Sequence, residues 1–419
     1  MWRTKKGRNF LKKVAKKKRF WEAFGSSGIV LCIIAMILMT VMLIWQAWFV
    51  SGFTPEQKEA LPGPEIALIL PGINPILPIE YIGYILLAFV VAIVVHEFSH
   101  GILTIASKLK VKSLGILYLI LPIGAFCEPD EEGLKKAKTK HRMRIYAAGP
   151  TSNFVVVLIC ILLFSFVLMS SVQPAADGAH VFSVDEDSPA EKIDLQPGMI
   201  ITSLNNTRVT NVTDYFYALH KTYANQTTTI CYMKGDIELN ATVTFTDRYV
   251  EHEKRGYLNN ESFKGKGYLG TFLLRDSVFN NYLSALKNPF NGFPDSFLLF
   301  YVIPLLGYFQ GYNPIVSPFT DSYIITGPLS VIPNNVFWII VNALYWIFWL
   351  NLAVALFNVL PMVPLDGGFL FNDVMNSLIK RVKKGLSDEQ REKIVKNVSV
   401  TISLTILVLI IFPWLIKYL

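Results

Sequence analysis

Two histidines and a glutamate stand together in the stretch VVHEFSHG, residues 94–101. His96 and His100 are four residues apart, which places their rings on one face of a helix, one turn above the other. Two imidazoles in this arrangement bind zinc, and a glutamate next to the first of them reaches a water on the metal as a general base. The pattern therefore predicts a hydrolytic zinc site on His96 and His100, with Glu97 as the catalytic base.

The segment that carries this motif is otherwise almost wholly apolar. Tyr81 to Ser107 is long enough to span a bilayer as a helix. Ionisable side chains are costly in hydrocarbon, so a cluster of them within a span indicates a functional site rather than a chance match to the motif.

A zinc ion that keeps one position open for water needs a third protein ligand. Asp366 offers a carboxylate at the end of a predicted span, and Gly367 and Gly368 after it let the backbone turn and approach closely. An aspartate before glycine also commonly ends a helix in a turn, so both interpretations of Asp366 are open at this point. The other four histidines fit poorly, because they fall in a charged loop or in a polar domain.

Composition indicates a membrane protein, with 52% hydrophobic and only 17% charged residues. The net charge of +8 comes from basic clusters beside apolar runs, which favours a role in membrane topology over binding to nucleic acid. The four cysteines form no CxxC pair, which argues against a cysteine zinc site and a disulfide framework.

The order of apolar, charged and polar segments divides the chain into eight parts. We predict a basic cytoplasmic N-terminus (1–27), a first span (28–50), the first half of a membrane core with the HEFSH span, a β element and a third span (81–170), an exported domain (171–276), an interfacial or re-entrant segment (290–333), the second half of the core (337–372), a cytoplasmic amphipathic segment (373–397) and a last span (398–419). The predicted fold class is a polytopic α-helical membrane protein with a membrane-associated β element and an extracytoplasmic α+β domain.

The stretch SLGILYLILPIGAF, residues 113–126, is apolar but too short to cross the membrane as a helix. A strand or hairpin is tolerated there if it is buried in protein or lines a watery cavity, and its edge would then be able to pair with an extended substrate. An ordinary apolar packing segment is the alternative.

The segment 171–276 has the composition of a soluble domain. Alternating stretches predict strands at His180–Val184, Met199–Leu204, Thr228–Met233 and Glu238–Phe245, with a helix at Asp214–Thr222. Five Asn-x-Ser/Thr sequons occur here, at Asn205, Asn211, Asn225, Asn240 and Asn260, as suits an exported face. Simple richness in Asn and Thr is the alternative explanation.

Basic residues crowd the N-terminus, Lys108 to Arg144, and Lys380 to Lys396. The positive-inside rule places all three in the cytoplasm, which predicts five spans and an active site toward the cytoplasmic side. We expect the protein to lie in the cell membrane of a prokaryote. We expect the amphipathic segment to lie on anionic lipid.

Three motifs together resemble one known family. HEFSH in one span, AAGPTSN opening the next, and NVLPMVPLDGG near the C-terminus look like the site-2 protease family of intramembrane zinc metalloproteases, over Tyr81–Met169 and Phe337–Asn372. The resemblance implies zinc on His96, His100 and Asp366, Glu97 as the base, and Asn153 and Asn358 as support for the substrate or the oxyanion.

The exported segment GAHV, followed by SPAEKIDLQPGMIITSLNN, resembles the PDZ domains that members of this family carry between the two halves of the core. Ile193-Asp194-Leu195 stands where Ala-Gly-Leu is commoner, and Met199 stands where Asp is usual. These departures concern the ligand of a PDZ-like domain. The resemblance implies regulated intramembrane proteolysis: hydrolysis of peptide bonds within or near transmembrane helices of membrane-tethered protein substrates.

Two other classes of function compete with a protease. The first is a non-proteolytic membrane scaffold or chaperone with a structural zinc site, which has no need of Glu97 as a base. The second is a transporter that uses the histidines and acids as a relay, a role that the scarcity of other charges in the spans disfavours. The sequence indicates no particular substrate or oligomeric state.

Overall fold

The computed structural model describes residues 2–4, 8–68, 70–118, 122–383 and 385–418. The chain forms two compact units, Met1–Cys160 with Tyr345–Leu419, and Ile161–Leu344. We refer to them as the first and the second unit.

The secondary structure is mainly helical. The α-helices are α1 Arg8–Ala15, α2 Lys18–Ser51, α3 Pro55–Glu59, α4 Ile82–Ala106, α5 Glu131–Lys136, α6 Thr139–Leu162, α7 Pro189–Lys192, α8 Val212–His220, α9 Arg248–Arg255, α10 Asp276–Lys287, α11 Asp295–Gln310, α12 Asn334–Asn358, α13 Asp366–Val382 and α14 Asp388–Tyr418. The strands are β1 Trp2–Thr4, β2 Val111–Tyr118, β3 Pro122–Pro129, β4 Val172–Pro174, β5 Ala179–Val184, β6 Ile200–Leu204, β7 Thr207–Arg208, β8 Thr227–Lys234, β9 Ile237–Thr244, β10 Thr246–Asp247, β11 Gly267–Tyr268, β12 Thr271–Leu273 and β13 Tyr323–Ile325.

Five helical segments of the described chain are long and apolar enough to cross a membrane, as the composition predicts for a polytopic membrane protein. They are Lys18–Ser51, Ile79–Ala106, Thr139–Ser171, Asn334–Asn358 and Asp388–Tyr418. The helix α11 has 16 residues with Pro304 inside it, which is short for a crossing. That an odd number of crossings follows the domain at 171–276 stays a prediction.

Two elements of the first unit pack against α4 in the region of the HEFSH motif. The short helix α1 buries Leu11 completely in a cluster with Ile102 and Leu103. The strands β2 and β3 form the antiparallel hairpin that is one of the two interpretations of 113–126, and the residues between them lie outside the described chain. No pattern in the sequence predicts that β1 pairs with β2. This pairing covers the outer edge of β2 and leaves β3 at the edge of the sheet.

The second unit contains a sheet with the strand order β12-β5-β6-β8-β9 and β7 paired to β6. Four of its strands and the helix α8 lie where alternating hydrophobicity predicts them. Val181, Ile201 and Ile230 of the sheet and Tyr215 of α8 belong to one buried cluster. The sheet therefore holds a core of its own.

Three helices run across predicted domain boundaries, and the boundaries themselves stay predictions. The division between a basic tail at 1–27 and a span at 28–50 falls inside α2, which already begins at Lys18. The predicted amphipathic segment 373–397 is divided between α13 and α14. The physical reason is a capping box, in which Ser387 Oγ accepts from the Gln390 N–H at 3.2 Å and Gln390 Oε1 accepts from the Ser387 N–H at 3.1 Å, so that a new helix starts there.

Candidate active site

The helix α4 presents His96 and His100 on one buried face. Their ring centroids are 4.8 Å apart. Both Nε2 atoms approach the same carboxylate oxygen, Asp366 Oδ2, at 3.0 Å from His96 and 3.1 Å from His100. The structure thus brings the three predicted ligands together, and one possible ligand atom of each lies within 4.8 Å of the others.

Asp366 is not at the end of a span, as the sequence suggested, but is the first residue of α13. A carboxylate there faces the positive end of the helix dipole. The two glycines after it are required by packing, because a Cβ on Gly367 would overlap the carbonyl of Val359 and a Cβ on Gly368 would lie 2.6 Å from the carbonyl carbon of Met362. Burial raises the pKa of Asp366, but attraction to His100 and His96 outweighs it and holds the pKa below its usual range.

Backbone and small residues of α6 complete the position of the histidines. His100 Nδ1–H donates to the carbonyl oxygen of Ile145 at 2.7 Å, which directs Nε2 toward Asp366. A Cβ on Gly149 would lie 2.5 Å from His100 Nε2 and still closer to His96 Nε2. Only glycine therefore lets α6 lie this close to the two imidazoles.

Glu97 lies at the wall of a cavity of about 910 Å³. His100, Cys127, Arg142, Tyr146 and Asp366 are among its other lining residues. The backbone N–H of Cys127 in β3 donates to Glu97 Oε2 at 2.7 Å. The hairpin therefore orients the carboxylate that the motif predicts as a base.

An ion pair joins the two helices that carry the remaining parts of the site. Arg142 of α6 donates from Nε to Asp373 Oδ2 at 3.1 Å and from Nη2 to Asp373 Oδ1 at 2.5 Å. The two side chains are only 18% and 10% exposed. Arg142 precedes Ile145 by one turn and Asp373 follows Asp366 by two turns, so the pair fixes α6 against α13.

The two predicted asparagines are placed differently from each other. Asn153, one turn after Gly149, is fully buried, and its amide atoms have no hydrogen-bond partner among the described residues. Asn358 is half-buried and its Nδ2 donates to the carbonyl of Val354 in its own helix at 3.0 Å. Neither lies among the lining residues of the cavity at Glu97, and their support of a substrate stays a prediction.

The sequence reasoning missed three contributors to this site: the Ile145 carbonyl, the Cys127 N–H and the Arg142–Asp373 pair. The first two are backbone groups, which no side-chain motif identifies. The third joins residues 231 positions apart, and only the charge of each was visible in the sequence.

Comparison with known proteins gives the family. The model of peptidase family M50 matches residues 84–406, which is most of the chain and includes every residue of the site. The chain belongs to peptidase family M50. A relative in Methanocaldococcus jannaschii, itself an uncharacterised protein, is 27% identical over 387 residues, which cover 92% of this chain and 80% of the relative.

M50 peptidases are zinc metalloproteases, and the donor set of this M50 chain fits that metal. Two imidazole nitrogens and one carboxylate oxygen are the ligand types of a catalytic zinc site that keeps an open position. The hydrogen bond from His100 to Ile145 is the outer contact that such a histidine usually makes.

Proposed function

We propose that the chain is an intramembrane zinc metalloprotease that hydrolyses peptide bonds within or near transmembrane helices of membrane-tethered proteins. The observation that carries this proposal is the convergence of His96, His100 and Asp366. Of these, His100 and Asp366 share the wall of one cavity with Glu97. All four come from the first unit, in which α4 is a candidate span.

His96 Nε2, His100 Nε2 and an oxygen of Asp366 would hold the zinc. When bound, the metal would act as a Lewis acid that polarises the scissile carbonyl and lowers the pKa of a water, so that the water can act as a nucleophile at neutral pH. The hydrogen bond from His100 Nδ1–H to the carbonyl of Ile145 would keep the ring of His100 in the orientation in which Nε2 can hold the metal.

Glu97 moves the proton in this proposal. Its Oε2 is held by the Cys127 N–H, which leaves Oε1 to take a proton from the attacking water. The same carboxyl then donates that proton to the nitrogen of the leaving amine. The charged and polar lining of the cavity, which includes Arg142 and Glu392, supports the entry of water.

The substrate must present extended backbone, because a helical peptide bond is shielded by its own hydrogen bonds. The edge strand β3 lies beside Glu97 and offers main-chain groups for pairing with such a segment. Helix-breaking residues in a substrate should therefore favour cleavage.

The domain at 171–276 is, in this proposal, a PDZ-like module on the exported side that screens substrates by a C-terminus or by bulk. Its sheet with α8 packed against the inner face supports that identity. In this proposal the active site lies toward the cytoplasmic side of a prokaryotic cell membrane. The basic clusters support that sidedness and a cytoplasmic N-terminus.

The test is cleavage of a model single-span substrate in proteoliposomes, with zinc content measured on each variant. The wild type should hold zinc and cut, whereas His96→Ala and Asp366→Ala should lose both. His220→Ala, the same substitution at an exposed histidine of α8, is the matched control and should behave as the wild type. Retention of zinc by the wild type with no cleavage of any substrate in a panel with helix-breaking residues would favour the scaffold instead.

A further inference from the structure

Asparagines that open an Asn-x-Ser/Thr sequon are concentrated in one part of the chain. Residues 171–276 contain seven asparagines, and five of them open a sequon. The remaining chain contains sixteen asparagines, and Asn397 alone opens one. Ser and Thr make up 17 of the 106 residues of the segment, so chance placement after seven asparagines would give about one sequon.

Richness in Ser and Thr therefore accounts for only about one of the five sequons. The remainder of the chain, which includes the loops between its helices, has more asparagines but only one sequon, so the enrichment is confined to this segment. Clustering in one domain is what a modification on one side of a membrane would produce.

The folded domain leaves the amide nitrogen free at four of the five positions, and Nδ2 is the atom that a glycan modifies. Asn240 lies on the exposed face of β9, the edge strand of the sheet. Asn260 is exposed and uses only Oδ1, which accepts from the Ser262 N–H at 2.9 Å. No bond from Nδ2 of either residue occurs among the described residues.

The two turn positions share this arrangement. Asn205 Oδ1 accepts from Gln226 Nε2 at 3.2 Å and from Thr228 Oγ1 at 3.0 Å, while its Nδ2 has no partner among the described residues. Asn225 has a left-handed backbone with φ of 62° in the turn before β8, and its side chain makes no hydrogen bond within the described part of the chain.

Asn211 differs from the other four. It caps α8, and its Nδ2 donates to Thr210 Oγ1 and to Asp214 Oδ2, both at 3.2 Å. Attachment of a glycan leaves one hydrogen on Nδ2, so one of these two bonds would be lost. The fold therefore opposes modification at this position only.

We propose that the domain at 171–276 is N-glycosylated at Asn205, Asn225, Asn240 and Asn260, with Asn211 the least occupied sequon. The donor is an oligosaccharide linked through phosphate to a membrane lipid. The asparagine Nδ2 forms a bond to the anomeric carbon, the bond from that carbon to the phosphate oxygen breaks, and the amide loses one proton as the lipid phosphate leaves.

The glycans would leave a large cavity of the second unit accessible. This cavity of about 830 Å³ lies among α8, α9 and β12, with Tyr215 and Tyr257 in its wall, and none of the five sequon asparagines is among its lining residues. The modification therefore covers other faces of the domain and does not compete with a ligand there.

The proposal rests on the predicted sidedness of the membrane and not on proteolysis. Asn397 is the internal control, because it lies in α14 beside the basic cluster that we assign to the cytoplasm. It should carry no glycan.

The test is mass spectrometry of the full chain purified from the membranes of its own organism. We expect glycan on the four asparagines, lower occupancy at Asn211 and none at Asn397. Thr242→Ala should remove the glycan at Asn240, whereas Thr242→Ser, which keeps the sequon at the same exposed position of β9, should retain it. An unmodified chain, a glycan at Asn397, or loss of the glycan in Thr242→Ser would overturn the proposal.

Discussion

The backbone N–H of Cys127 donates a hydrogen bond of 2.7 Å to Glu97 Oε2. Cys127 pairs with Leu114 across the hairpin, and its N–H points away from β2, toward α4. The β element thus orients the carboxylate that we assign as the base, because it fixes one of its two oxygens.

Removal of that donor should slow cleavage without loss of metal. Cys127→Pro deletes the N–H at an edge strand, where proline is tolerated because this N–H takes no part in the ladder. A hydrogen bond to a charged group contributes about 1.5–3 kcal/mol, so we expect kcat to fall about 10–100-fold with zinc content unchanged. The measurement is the initial rate of substrate cleavage alongside metal analysis.

Cys127→Ala is the matched control for that experiment, because it keeps the backbone N–H and removes only the thiol. It should retain nearly the wild-type kcat. Equal loss of activity in both variants would mean that the side chain, not the hydrogen bond, matters.

Gly149→Ala should disrupt the metal site by sterics alone. The added Cβ would lie 2.5 Å from His100 Nε2 and closer to His96 Nε2, so the imidazoles must move from Asp366. We expect zinc affinity to fall about 100-fold, measured by competition with a chelator.

Gly83→Ala provides the comparison. Gly83 lies in α4, the helix that carries the two histidines, and a Cβ there meets nothing within 4 Å. It should keep zinc affinity unchanged and, as a helix-favouring change, should not lower stability. A normal zinc affinity in Gly149→Ala would show that α6 does not constrain the histidines as described.

The site was predictable from the sequence where its chemistry resides in side chains at helical spacing. His96, Glu97 and His100 form a local pattern. For Asp366 the residues left both a ligand and a turn open, and the resemblance of NVLPMVPLDGG to the site-2 protease family implied the ligand. The Ile145 carbonyl and the Cys127 N–H escaped prediction, since every residue has such groups and only tertiary packing selects these two.

In the fold, too, features with a local sequence signal were predictable and features set by long-range packing were not. Apolar runs and alternating patterns predicted the long helices and the sheet of the second unit, because both depend on local periodicity. The pairing of β1 with β2 depends on residues more than a hundred positions apart and carries no local signal. The break between α13 and α14 did carry one, the capping box at Ser387, which a search for amphipathic character overlooked.

The Arg142–Asp373 pair should couple stability to metal retention. Because both side chains are largely buried, Arg142→Ala or Asp373→Ala leaves an unpaired charge and should lower the free energy of unfolding by about 3 kcal/mol. The double variant should cost clearly less than the sum of the two single variants. Unfolding in mixed micelles and the rate of zinc loss are the two measurements.

Lys112 and Asp130 supply the matched pair, at 3.4 Å but with side chains 50% and 30% exposed. Lys112→Ala should change the free energy of unfolding by less than about 1 kcal/mol. Similar effects at the two pairs, or strict additivity at Arg142 and Asp373, would contradict the role of the buried pair.

His180 should make the second unit sensitive to acid. The side chain is buried against Phe279, with ring centroids 3.8 Å apart, and burial lowers its pKa to about 4. The unfolded chain binds a proton near pH 6.5 and the folded one does not, so stability is lost as the pH falls from about 6.5 toward 4. Between about pH 7 and pH 5 the loss should be about 2 kcal/mol.

Hydrogen exchange of the β5 and β6 amides in the full chain at both pH values measures this loss. His180→Phe keeps an aromatic ring in the same place. In this variant the exchange rates of the β5 and β6 amides should change with pH only as the intrinsic rate of amide exchange does. An unchanged free energy of opening in the wild type across this pH window would show that His180 is protonated in the folded state.

The most direct test of the central claim is the rate of peptide-bond cleavage by Glu97→Gln, with zinc measured on the same sample. The amide cannot take a proton from water but keeps the shape of the side chain and can accept the Cys127 hydrogen bond. If Glu97 is the base of a zinc protease, the wild type cuts a single-span substrate in proteoliposomes, whereas the variant holds as much zinc and is inert. Cleavage by Glu97→Gln at the wild-type rate would contradict the assignment of Glu97, and a zinc-loaded wild type that cuts no substrate would contradict the protease itself.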